Sequence, residues 1–226
     1  MKAHIPPTPA ARPIGRPRAI PTELSGDVRE EILTIAAGLF ESQGYTPTST
    51  RSIASAVGLR QASLFHYFAR KEDILTELLD RTVRDTLNAV RRVPLESYDA
   101  DMALWMLVFV DVANLCRGPH NLGLLQLLPE VRGTQFEWFW RRRRQLFRVY
   151  ASQIERGNVE GTLPHVIDLT TTELVFGLVE SVITARPAFR RQPMTPAVVA
   201  EAVLRVCGVS TRRIRSIARN APTLDG

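Results

Sequence analysis

The chain has 226 residues, 45% of them hydrophobic, and a formal net charge of +6. This suits one small module plus one helical domain, and no apolar run reaches the roughly 18 residues needed to span a bilayer. The first residues lack a signal-peptide stretch, Cys116 and Cys207 form no CxxC, the four histidines lack metal-ligand spacing, and there is no phosphate loop or nucleophile elbow; the expectation is a cytoplasmic, non-enzymatic protein without cofactor or metal.

The charge excess lies in the flanks. Residues 85–210 carry 14 basic and 13 acidic side chains, whereas residues 211–226 carry four arginines against one acid. Basic flanks suit a polyanionic partner. Residues 1–26 form a basic, Pro- and Arg-rich arm that cannot build a core and is expected to be disordered alone. Within it, Arg12 to Arg18 has a Gly-Arg-Pro centre that resembles an AT-hook minor-groove arm, with Arg16 and Arg18 as the contacts. A solvated tail is the competing reading.

A first helix is expected from Asp27, where Asp27 and Glu30 resemble a capping box. Val28, Ile32, Ile35, Ala36, Leu39 and Phe40 form its stripe, and Gly44 ends it. From Thr48 to Lys71 the pattern is two short helices around Gly58, a position suited to positive φ. Ile53, Ala54 and Val57 make one stripe; Leu64, Phe65 and Phe68 make the other. Thr48 or Ser49 caps the first of these helices. Two short helices joined through a glycine turn are a helix-turn-helix, whose second helix enters the major groove. An ordinary helical hairpin competes, but Arg60, Gln61 and Ser63 are polar where bases are met, and His66 and Tyr67 can reach phosphates.

Gly44-Tyr45, Thr48-Ser49, Arg51, Ile53-Ala54, Val57-Gly58, Ser63 to Phe65, Phe68 and Lys71 to Leu75 resemble the signature of the TetR family of one-component bacterial regulators, usually repressors. The match covers about residues 27 to 75. The resemblance implies an all-α protein: a three-helix DNA-binding domain over 27–75 and a helical effector-binding and dimerisation domain over 76–210, followed by a basic tail over 211–226. It also implies roles. Arg51 matches a base-reading position, and a guanidinium grips guanine O6 and N7. Gln61 matches a base-reading Gln, suited to adenine N6 and N7. Ser63 lies near the bases, while Tyr67 and Lys71 match phosphate contacts. Phe65 stands where Tyr is usual and reads as core packing. Arg60 adds a contact, and Arg70 replaces a capping Ser.

Beyond this region a fourth helix is expected over Lys71 to Val90, then a nearly all-apolar central helix over Asp99 to Cys116. A short helix over Asn121 to Val131, a long one over Thr134 to Arg156 ending at Gly157, one over His165 to Ala185, and a last one from Thr195 to Cys207 follow. Thr211 to Asn220 reads as a short helix or a solvated tail. No segment alternates as a strand would.

A short reading helix covers few base pairs, so a homodimer on a palindromic double-stranded operator is expected. The resemblance implies a four-helix interface from the last two long helices. Leu169, Phe176, Val179 and Ile183, with Val199 and Val203, are its candidate residues. The candidate effector site centres on Arg143, a charge in the middle of an apolar arc. An internal pair with Asp111, snorkelling to the surface, or an effector contact all remain open. Trp105, Phe109, Trp138 and Phe176 are candidate walls for a small apolar effector. An architectural DNA protein without sequence choice, or a helical enzyme, are the alternatives.

Overall fold

The computed structural model describes residues 27–165, 168–188 and 194–222. The arm with Arg16 and Arg18 lies outside the described residues. Among these the structure is all helical: α1 (Val28–Gln43), α2 (Thr50–Val57), α3 (Gln61–Phe65), α4 (Lys71–Arg92), α5 (Ala100–Leu115), α6 (Glu137–Glu160), α7 (Leu169–Ala188), α8 (Pro196–Val206) and α9 (Thr211–Asn220). No described helix is long and apolar enough to cross a membrane.

The start of α1 follows from Asp27, whose carboxylate accepts from the Arg29 N–H at 2.8 Å. Glu30 does not close the expected capping box. It is drawn instead to Arg81 on α4, which donates two bonds of 2.8 and 2.6 Å to it. At α2 Ser49 is the cap, exchanging bonds with Ser52, and Gly58 ends the helix in the left-handed region at φ 76°. Arg70 offers α4 no side-chain acceptor; the Asp73 carboxylate accepts from the Arg70 N–H at 2.8 Å. Glu72 and Asp73 in the first turn and Arg91 and Arg92 in the last suit the helix dipole.

The small N-terminal core gathers Ile32, Leu33, Ala36 and Phe40 of α1, Ile53 and Val57 of α2, and Leu64 and Phe68 around α3. Ile74, Leu75, Leu78 and Leu79 of α4 close it, while Val83 and Leu87 belong to the larger core beyond. There α5 is buried on nearly every side and packs against α4, α6, α7 and α8.

Several boundaries differ from the sequence expectation. Residues 122–136 form three 3-10 turns, Leu122–Leu127, Pro129–Arg132 and Thr134–Phe136, rather than a helix. Helix α6 passes through Gly157 and stops at Gly161, φ 71°. Gly157 is not a terminator because its bare backbone seats the buried Leu163, which a Cβ there would strike. Helix α7 continues through Pro187. The basic tail is a docked helix: Ile214 and Ile217 of α9 are buried, and Arg213 holds Asp101 at 2.7 and 2.8 Å and Asp99 at 2.6 Å.

One polar network ties three helices of the larger core. Thr86 of α4 donates to Asp111 Oδ1 of α5 at 3.0 Å, Tyr150 of α6 donates to Asp111 Oδ2 at 2.9 Å, and Asn114 donates to the Thr86 hydroxyl at 3.1 Å. Burial pushes the Asp111 carboxyl up to about 6, against the pull of these bonds. The folded state therefore holds this proton more tightly than the unfolded chain. The resulting stabilisation is complete below the unfolded value near 4 and is lost as pH rises through about 6. Asp111→Asn has no such loss. Wild type should lose stability relative to it by about 1.4 kcal/mol per pH unit across that window, measured by denaturant unfolding. Parallel pH curves for the two proteins would contradict this placement of the proton.

Candidate nucleic-acid interface

The helix-turn-helix buries one side and presents the other. Leu64 is wholly buried and Phe68 nearly so, which sets the rotation of α3. Arg60, Gln61, Ala62, Phe65, His66 and Tyr67 then face outward, with Arg51 exposed on α2. Ser63 is half-buried at the edge of this face. Gln61 donates its amide to the Thr50 hydroxyl at 2.9 Å, so this exposed side chain is held in one orientation. Residues 42–71 contain no Asp or Glu. The face is thus free of carboxylates of its own, as a phosphate backbone requires. Thr50 was not singled out from the sequence; only its packing against α3 reveals it.

Three expectations change. Phe65 is 45% exposed rather than packed in the core, beside Tyr67 at 41%. The chain bends just after α3, so Phe68 turns inward while Phe65 stays on the Gln61 face. Thr48 is buried, and its hydroxyl donates to the Gly44 carbonyl at 2.7 Å; it shapes the α1–α2 turn instead of facing DNA. Ser49 remains exposed while it caps α2. Lys71 also turns inward. Its ammonium donates to the carbonyls of Tyr45 and Thr48 at 2.7 Å each, lies 4.0 Å from the Tyr45 ring centroid, and is pulled below its ordinary pKa by burial. The lysine clamps the first residue of α4 to the turn, where the sequence suggested a phosphate contact.

The residues expected around an effector are engaged with one another. The Arg143 guanidinium donates to Glu180 of α7 and to Gln126, and lies over the Phe176 ring at 5.3 Å and the Trp140 ring at 5.7 Å. Its partner is therefore Glu180, since Asp111 is already satisfied by Thr86 and Tyr150. Trp105 is buried and stacked on Phe109 at 5.0 Å, and Phe176 meets Tyr150 and Phe147 edge-on. Trp138 is half-buried over the neighbouring Arg142 at 5.8 Å. Of this set Phe109 lines a cavity that adjoins α4.

The candidate dimer stripe is also rotated. Val179, Ile183, Val199 and Val203 are buried within the chain's own core, and Phe176 is half-buried. Facing outward are Leu169 (65% exposed) and Leu174 (62%) on α7, and Val198 and Val206 on α8.

Residues 32–78 match the pattern of the bacterial regulatory proteins of the tetR family. Over 87% of this chain and 94% of the other, the structure aligns with that of AmtR from Mycobacterium smegmatis, at 41% sequence identity and a TM-score of 0.78. The chain belongs to the TetR family. Among curated members of similar sequence, the HTH-type transcriptional repressor KstR2 of Rhodococcus jostii is 36% identical over 80 residues, 35% of this chain and 39% of that protein. The regulator EthR of Mycobacterium tuberculosis is 34% identical over 93 residues, 41% of this chain and 42% of that protein. The chain thus spans about two-fifths of the length of the curated relatives it matches. For a TetR-family chain, the inward Lys71 has a measurable consequence. Lys71→Met should lower stability by about 1–3 kcal/mol, because it strips donors from half-buried carbonyls. The slope of log affinity for DNA against log salt should stay unchanged. A slope reduced by about one, with stability intact, would return Lys71 to the phosphates.

Proposed function

We propose that the chain is a sequence-specific DNA-binding repressor of the TetR family, acting in the cytoplasm as a homodimer on a palindromic operator and released by a small-molecule effector. The observation that carries this reading is the outward, carboxylate-free face of Arg51, Arg60, Gln61, Phe65, His66 and Tyr67 over the buried Leu64 and Phe68. In it Arg51 grips guanine and the pre-oriented Gln61 amide grips adenine. Phe65, one turn along from Gln61, meets a thymine methyl group. Ser49, Ser63, His66, Tyr67 and Arg60 hold phosphates, and Arg16 and Arg18 of the arm add cations. The repressor role of KstR2 supports the negative sign of regulation.

Recovery of genomic fragments bound at moderate salt tests the reading, since it requires one shared palindrome. On that site Gln61→Ala should cost about 1–3 kcal/mol and relax choice at one base pair. Replacing thymine by deoxyuridine should weaken wild type at the Phe65 position while leaving Phe65→Ala indifferent. Equal losses on cognate and scrambled duplexes would remove both residues from base reading.

The dimer surface in this reading is the outward face of α7 and α8. Leu169, Leu174, Val198 and Val206 expose apolar surface there, and Gly177 leaves open space into which a second helix fits. Leu174→Arg should make the protein monomeric at micromolar concentration with little loss of its own stability, as read by sedimentation velocity. Val179→Arg should instead unfold the chain, because Val179 lies in its own core. A Leu174→Arg protein that still sediments as a dimer would place the interface elsewhere.

A further inference from the structure

The seam between the helix-turn-helix and the larger domain contains two adjoining cavities that share Asp85, Asn114 and Arg117. The first, about 270 Å³, opens between α1, α4 and the turn after α5, with Leu33, Ala37, Leu78 and Leu122 among its walls. The second, about 340 Å³, continues between α4 and α5 over Phe109 and Val110, with Asn88 and Arg92 on its lining. Together they approach the size of a site for a small organic molecule.

The charges in this seam are uneven. Two arginines of α4 are matched: Arg81 with Glu30 and Glu77, Arg84 with Asp80. Arg92 and Arg117 have no carboxylate partner among the described residues. Asp85, the carboxylate shared by the two cavities, leans toward Arg84 at 3.4 Å. Asp85 repels any anion here, a doubly charged phosphate more than a singly charged carboxylate, whose one charge Arg117 and the Asn114 amide can hold. The apolar walls of the first cavity suit a short hydrocarbon body. Asn114 also reaches the Thr86 hydroxyl and through it Asp111, so a group bound there touches the network that fastens α4 to α5.

The position matters for regulation. On the far side of the first cavity, the His120 ring lies directly on the α1 backbone: a Cβ at Gly38 would come within 2.8 Å of it. His120 Nδ1 is also 3.2 Å from the Glu41 carboxylate of α1. The turn after α5 therefore bears on the first helix of the DNA-binding domain, and the cavity lies beside that bearing.

We propose that this seam is a binding site for a small aliphatic carboxylate, with the acid group on Arg117 and the chain in the apolar first cavity. The ligand favours one setting of α1 and α4 over another and thereby changes operator affinity. This regulatory half rests on the operator-binding reading above; the site itself does not.

Calorimetric titration of the full chain with hexanoate, hexan-1-ol and hexyl phosphate tests the site. Hexanoate should bind at millimolar or lower concentration, with hexyl phosphate weaker and hexan-1-ol undetected. Arg117→Ala should weaken hexanoate by about tenfold or more, while Arg144→Ala, which removes the same charge from an exposed part of α6, should change nothing. Because Arg117 is exposed, its variant should melt like wild type. No hexanoate binding by wild type, or equal binding by Arg117→Ala, overturns the site. A parallel anisotropy titration with the recovered DNA fragment should show hexanoate altering affinity in wild type and not in Arg117→Ala. Hexanoate binding with no effect on a DNA-bound wild type would overturn the regulatory half. Loss of all DNA binding would overturn the operator reading, and calorimetry would still decide the site.

Discussion

Helix α4 belongs to two cores at once, and the rest of the structure depends on that sharing. Its first half supplies Ile74, Leu75, Leu78 and Leu79 to the small domain, and its second half supplies Val83 and Leu87 to the large one. Polar bonds fix it along its length: Lys71 to the α1–α2 turn, Arg81 to Glu30, and Thr86 to Asp111. At about 1.5 Å per residue its 22 residues form a rod of roughly 33 Å. The Arg81 pairing is partly buried and holds the Glu30 carboxyl below the usual range. With the Glu30 side chain 42% exposed, the pair fixes how α1 sits on α4 more than it adds stability. The setting of the reading helices is therefore inherited from the large domain through this rod.

That constraint explains the division of labour among cations. Lys71 sits at the junction of turn and rod, and its ammonium donates to the Tyr45, Thr46 and Thr48 carbonyls of the turn. The exposed positive charge of the helix-turn-helix face then falls to Arg51 and Arg60, which stay unclamped. Arg143, deep in the larger domain, answers Glu180 across α6 and α7 and so fastens those helices together. The seam cavities lie where the rod leaves the small domain. A small displacement there acts on α1 and α4 together.

The helix-turn-helix was legible because its stripes recur at helical spacing and Gly58 stands where a left-handed residue is required. The helical character of the larger domain was legible for the same reason. What periodicity could not supply was rotation. In α7, apolar residues occur on nearly all sides, so Val179 and Ile183 could be assigned to a partner when the fold turns them inward and leaves Leu174 outside. Phe65 shares the spacing of Leu64 and Phe68, yet α3 is only five residues long and the bend after it breaks the stripe. Arg143 falls in the middle of an apolar arc, where the sequence leaves an internal pair with Asp111, snorkelling and an effector contact open. Its partner Glu180 lies 37 residues away on a helix whose facing periodicity does not fix, so the sequence could not choose it. Gly157 resembles a terminator in the sequence, and only its contact with Leu163 shows that the glycine serves packing.

The central claim is that a two-fold pair of these chains reads a discrete DNA site through α3. Hydroxyl-radical footprinting on a recovered genomic fragment tests it most directly. The account predicts two protected patches on one face of the duplex, separated by about one helical turn, ~10 bp, or a multiple of it, and symmetric about the centre of a palindrome. Even protection along the duplex, without a centre, would contradict it.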